Sequence, residues 1–238
     1  MSGEKVALIT GAAGGIGLGL VEAFLEESNK VVATSLEASQ SLTPSPSLAI
    51  VDGDVGKQDT AARAVDAAVE RFGRIDVLVN NAGILRTKPF TDFTAEDFDA
   101  LVSTNLKGFL YMTQLAVKQM LQQHAGNVVS ITAALADQPI AGLNASISML
   151  TKGGLNIVTR CLAIEYAKEG IRFNAVAPGV VDTPLHGGDP KDSLTTRQPM
   201  GKIATVGDIV DAVLYLVKAG QVTGEVLHVD GGAHAGRW

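Results

Sequence analysis

The chain has 238 residues, 46% of them hydrophobic and 18% charged, enough for one α/β domain with a sizeable core. Its net charge of −6, with no basic cluster to neutralise phosphates, argues against a nucleic-acid partner or an anionic membrane surface. The one cysteine, Cys161, excludes an internal disulfide and a cysteine metal cluster, and its helical setting predicts a small buried apolar residue.

No leader-like segment is read, and no run is long and apolar enough to span a bilayer, so a cytoplasmic protein is expected. No spacing of histidine, cysteine and carboxylate suggests a metal site.

The first element is the unalternated apolar run 6–9, the pattern of a parallel strand buried on both faces. It breaks into Gly11-Ala12-Ala13-Gly14-Gly15-Ile16-Gly17, and an amphipathic stretch, 20–27, follows: strand, tight turn, helix. Glycines let a backbone approach a phosphate closely while the free N–H groups of the new helix point at it, which predicts a dinucleotide site here. The spacing is G-x-x-x-G-x-G rather than G-x-G-x-x-G, and a turn that merely packs a helix on a strand is the plainer alternative.

Strand and helix then alternate almost to the end. Strands are expected at 30–35, 48–51, 75–79, 127–131, 172–177 and 226–229, and helices at 58–72, 95–123, 146–168 and 206–218. Thr94 and Asp97 have the spacing of a capping box at the second of these helices. Residues 37–47, rich in Ser and Thr with Pro44 and Pro46, predict an extended crossover in place of a helix. The alternation argues a single domain over 1–238 with a Rossmann-type doubly wound parallel sheet of about seven strands and helices on both faces. A ligand then belongs beyond the carboxyl ends of the strands, at the switch point.

That edge collects the remaining unusual sequences: Asp54-Val55, Asn80-Asn81-Ala82-Gly83, and the run Pro178-Gly179-Val180-Val181-Asp182-Thr183-Pro184. Asn105, before Leu106-Lys107-Gly108, interrupts a long helix. From Thr10-Gly11 to Asp230-Gly231-Gly232, these motifs resemble the short-chain dehydrogenase/reductase family in order and spacing.

The resemblance implies an NAD or NADP site. Gly11, Gly15, Ile16 and Gly17 would line the pyrophosphate, Asp54 would hold the adenine amino group, and Val55 would lie against the ring. Asn81, Ala82 and Gly83 would flank the adenosine ribose, and Gly179, Val181 and Thr183 would hold the nicotinamide carboxamide. At the end of the second strand, Ser35-Leu36-Glu37 brings no arginine to the ribose, and Gly14 carries no charge, so NAD is favoured over NADP.

The catalytic part departs from the family, in whose Tyr-x-x-x-Lys pair the phenol gives or takes the substrate proton while the lysine lowers its pKa and holds the nicotinamide ribose. The lysine is Lys152, but Ser148 stands four residues earlier, and none of Tyr111, Tyr166 and Tyr215 has a lysine four positions on. The serine that polarises a substrate carbonyl is also missing, since the fifth strand ends Ile131-Thr132-Ala133-Ala134. Asn105 remains, with the implied role of supporting a proton relay. An aliphatic hydroxyl is too weak an acid and too short to replace a phenol, so Ser148 is read as a small residue facing an open pocket.

Asp137, His186, His234 and Trp238 are the other groups near the expected pocket, while His228 in the last strand reads as structural. The sequence therefore supports an oxidoreductase transferring hydride between NAD(P) and a small alcohol or carbonyl. The alternative is a dinucleotide-binding pseudoenzyme or structural partner. The helices at 95–123 and 146–168 are apolar on more than one face, which with the resemblance implies a homotetramer, or failing that a dimer.

Overall fold

The computed structural model describes residues 4–186 and 191–236. Seven parallel strands, β1 (Val6–Thr10), β2 (Lys30–Ser35), β3 (Leu48–Asp52), β4 (Val77–Asn80), β5 (Gly126–Ile131), β6 (Ile171–Pro178) and β7 (Val226–Val229), form one sheet in the order 3-2-1-4-5-6-7. This is the doubly wound Rossmann-type arrangement that the alternation predicts.

The helices are α1 (Gly15–Glu26), α2 (Ala38–Ser41), α3 (Gln58–Phe72), α4 (Ala95–Leu101), α5 (Gly108–Gln123), α6 (Ser146–Tyr166), α7 (Lys191–Thr195) and α8 (Val206–Lys218). Successive strand residues serve opposite layers. Ala7 and Ile9 join Leu20, Phe24, Ile209 and Val213 of α1 and α8 on one face. Val6 and Leu8 join Ala61, Ala64, Met112 and Met120 of α3 and α5 on the other. Burial on both faces is why β1 carries no polar alternation.

The long helix expected at 95–123 is broken. α4 and α5 are separated by a π-helical segment, Val102–Lys107, that contains Asn105. The capping box of Thr94 and Asp97 is formed, and Thr205 and Asp208 make a second at α8. The crossover over residues 37–47 is not wholly extended: α2 takes one turn before Pro44. The Asp52 carboxylate accepts from the backbone N–H of Ser39 at 2.9 Å and from its hydroxyl, which supplies the partner an isolated turn lacks. Those hydrogen bonds hold the Asp52 pKa below the usual carboxylate range.

Cys161 corrects another expectation, for it is exposed. It lies on the outward face of α6, in line with the exposed Leu150, Ile157 and Ile164, the last 82% accessible. No helix among the described residues is long and apolar enough to cross a membrane.

Candidate functional site

β1 lies between β2 and β4, so the chain leaves β1 toward one edge of the sheet and β4 toward the other. The crevice at their carboxyl ends is the switch point. Thr10 closes it from below. Its hydroxyl accepts from the N–H groups of Asn81 and Ala82 at 3.0 and 2.9 Å. The Asn81 amide returns hydrogen bonds to the carbonyls of Thr10 and Gly11 at 3.0 and 3.1 Å.

This stitching leaves no room for a side chain at Gly11 or Gly17. Gly11 has φ +65°, and a Cβ there would lie 2.9 Å from Ala82 Cα. At Gly17 a Cβ would lie 2.0 Å from the Gly11 carbonyl oxygen. Gly14 faces open space, and with Gly15 it lines a cleft at the N-terminus of α1. Bare backbone at a helix N-terminus is a cradle suited to a pyrophosphate, so the residues present fit a dinucleotide.

The cleft holds about 670 Å³ and runs from that turn past β4, β5 and β6 toward the segment 138–149. Gly11, Gly15, Ile16, Asn81, Ala82, Gly83, Lys152, Gly179, Val181 and Thr183 all line it. Five other expected residues do not. Gly17 is buried behind the turn. Ser35, Asp54 and Val55 stand at or just beyond the ends of β2 and β3, farther along the same sheet edge, where Val55 packs on Gly108. Asn105, 2% exposed, lies behind the wall.

Asn105 owes its position to the π-helical segment. Its amide accepts from Ile84 N–H at 2.9 Å and donates to the Ile84 carbonyl at 3.0 Å and to Thr151 Oγ1 at 2.9 Å. It thereby fixes the loop after Gly83 against α6. Lys152 Nζ donates to the Ile131 carbonyl at 2.8 Å, tying α6 to the end of β5. Gly83 makes room for both: a Cβ there would lie 2.9 Å from Lys152 Nζ and 3.3 Å from Asn105 Oδ1. Burial lowers the Lys152 pKa from 10.5 to about 8, because a desolvated ammonium is costly.

Ser148 does not face the pocket. It is fully buried, and its hydroxyl accepts from Arg86 N–H at 2.9 Å and donates to the Arg86 carbonyl at 2.8 Å. A short side chain here reaches the backbone of the 84–88 loop rather than the cleft. Ser148→Ala should lose about 2 kcal/mol of stability in denaturant unfolding by stranding both backbone groups, with dinucleotide affinity unchanged.

Asp137 and His228, separate in the sequence, are brought together. His228 Nε2 lies 2.9 Å from Asp137 Oδ2 and its ring stacks on His234 at 3.8 Å. His234 Nδ1 in turn lies 2.9 Å from Asp230 Oδ2. The cluster flanks the cleft, which its neighbours Ala134, Gln138 and Ala233 line, but none of the four side chains borders it. The His186 side chain and Trp238 lie outside the described residues.

Sequence reasoning missed Arg197, which lines the cleft. It belongs to an irregular segment after α7, where no periodicity marks which way a residue faces. Its backbone N–H donates to Leu194 at 3.1 Å, and the next side chain, Gln198, donates to the Val180 carbonyl at 2.8 Å.

With this geometry in view, the resemblances to known proteins are informative. A family profile described as enoyl-(acyl carrier protein) reductase matches residues 11–234. The chain is 34% identical over 245 residues to the 3-oxoacyl-[acyl-carrier-protein] reductase FabG of Thermotoga maritima, covering 96% of this chain and 97% of that one. Among solved structures, the 3-ketoacyl-(acyl-carrier-protein) reductase of Brucella melitensis complexed with NADH superposes with a TM-score of 0.90 at 31% identity, covering 97% of this chain and 98% of the other. ElxO with NADP bound matches with the same TM-score at 28% identity, covering 98% of this chain and all of its own.

Proposed function

Because the chain belongs to the short-chain dehydrogenase/reductase family, we propose that it is an NAD(P)-dependent oxidoreductase of a small alcohol or carbonyl compound in which Lys152 moves the proton. One observation carries the reading: a single cleft joins the glycine cradle to Lys152, and Arg197 is the only other titratable side chain among its described lining residues.

The nicotinamide, when bound, supplies or accepts the hydride. Gly14 and Gly15 offer bare backbone to the pyrophosphate, and Gly179, Val181 and Thr183 line the same cleft, Thr183 beside Gly15. Lys152 Nζ, oriented by the Ile131 carbonyl, gives its proton to the substrate oxygen during reduction and recovers one from solvent. During oxidation its neutral amine takes the proton instead. A pKa of about 8 suits both directions near neutral pH. Asn105 is a positioning residue that holds the 84–88 loop against α6.

The test is NADH- or NADPH-dependent reduction of a panel of small ketones, followed by loss of nicotinamide absorbance. Turnover above the protein-free rate supports the reading. Saturable dinucleotide binding with no turnover favours the second one, a pseudoenzyme or structural partner of an active relative. The observation on that side is Ser148, four residues before Lys152, whose hydroxyl is engaged by the Arg86 backbone.

NAD is favoured over NADP. Ser35 pairs in register with Asp52, and exposed Glu37 follows it, so carboxylates flank the end of β2 where a 2′-phosphate would need a cation. The family relationship and the exposed row Leu150, Ile157, Cys161 and Ile164 on α6, with Leu110 on α5, support a homotetramer. Sedimentation at low micromolar concentration should give a tetramer, and Ile164→Glu should shift it to smaller species. A monomeric wild-type protein would refute the assembly.

A further inference from the structure

We propose that the part of the cleft beside residues 140–143 is built for a substrate with an apolar body and a terminal anionic oxygen group, anchored by Arg197. This rests on the oxidoreductase reading of the same cleft and adds the class of substrate.

Charge is the first argument. Among the described lining residues only Lys152 and Arg197 are charged, both are cationic, and no carboxylate is present. The second is the state of Arg197. Its guanidinium makes no ion pair or hydrogen bond with a described residue, although the segment that carries it is tied down through Gln198 and Val180. Arg197 is a partly buried residue, and a guanidinium without an anion forfeits the charge-assisted hydrogen bonds that its planar fork is shaped to make.

Its surroundings supply the third argument. Arg197 borders, with residues 140–143, a second depression as well as the cleft, so its side chain stands beside the Ile140 and Leu143 that line the cleft. Leu85, Met149 and Leu185 add to the apolar lining of the same cleft. A ligand held there extends its apolar part along that lining toward Lys152 and its anion toward Arg197. A neutral isostere would leave the guanidinium unpaired, and such a loss discriminates strongly between substrates.

The test is calorimetric titration of benzoylpropionate against its methyl ester, with and without NADH, into wild type and Arg197→Met. A parallel pair, phenacylphosphonate and its dimethyl ester, distinguishes a carboxylate from a phosphate-like anion as the preferred terminus. We expect wild type to favour the acid of at least one pair by about tenfold, and Arg197→Met to abolish that preference with NADH affinity unchanged. Arg197→Lys should retain part of it. Equal binding of acid and ester in both pairs, or a preference that survives Arg197→Met, would overturn the proposal. So would an Arg197→Met protein that loses NADH affinity instead. An Arg197-dependent preference without NADH binding would support the anchor and sink the oxidoreductase reading.

Discussion

Replacing Lys152 by methionine is expected to lower turnover by about a hundredfold or more while leaving the fold intact. The side chain lines the cleft, and methionine keeps its length and apolar stem but removes the proton. The pH profile provides the sharper signature. The Lys152 pKa is about 8, so the ammonium needed for reduction is lost as pH rises through that value, and the reduction rate should fall. Oxidation needs the neutral amine, and its rate should rise over the same interval and then level off. The residual activity of Lys152→Met should show neither inflection. If the inflections persist, another group carries the proton, and an Asp137→Asn profile then tests the carboxylate beside His228.

Gly17→Ala should cost about 3 kcal/mol of unfolding free energy and weaken NADH binding by tenfold or more. Nothing about helix propensity predicts this, since alanine is the better helix former. The cost comes from contact: the new Cβ would sit 2.0 Å from the Gly11 carbonyl oxygen and 2.7 Å from Asn81 Nδ2. Relief requires moving α1 away from the turn, which opens the hydrogen bonds from Asn81 to Thr10 and Gly11. Gly14→Ala is the control. Its backbone is extended and a Cβ there meets nothing within 4 Å, so stability should change by less than about 0.5 kcal/mol. Equal losses in the two variants, measured by denaturant unfolding, would show that close approach is not the reason for glycine at position 17.

The two variants also show what the sequence could and could not reveal. The strands were legible because burial on both faces favours continuous apolar runs, as at 6–9 and 77–79. The glycine turn was legible as a phosphate cradle, but the spacing does not say which glycine faces the ligand and which packs against backbone. Gly15 lines the cleft, while Gly17 lies behind it. The break at Asn105 was readable as an interruption, whereas its form, a π-helical segment, depends on tertiary hydrogen bonds to Ile84 and Thr151.

The chemistry was less legible. That none of the three tyrosines has a lysine four positions on is visible in the sequence, yet the destination of Ser148 is set by the 84–88 loop, 62 residues away. Cys161 looked like core because helix periodicity cannot tell a face buried in the chain from one left outward. Asp137, His228 and His234 each invited a separate reading, and only the packing of β7 beside the segment after β5 joins them.

Every role proposed for Lys152 and the glycine turn requires that the cleft accept a nicotinamide dinucleotide. Calorimetric titration of the protein with NADH and with NADPH, repeated on Gly17→Ala, tests this most directly. One saturable site per chain is predicted, with NADH bound at least as tightly as NADPH and affinity lost in Gly17→Ala. No heat and no change in nicotinamide fluorescence with either dinucleotide would contradict it.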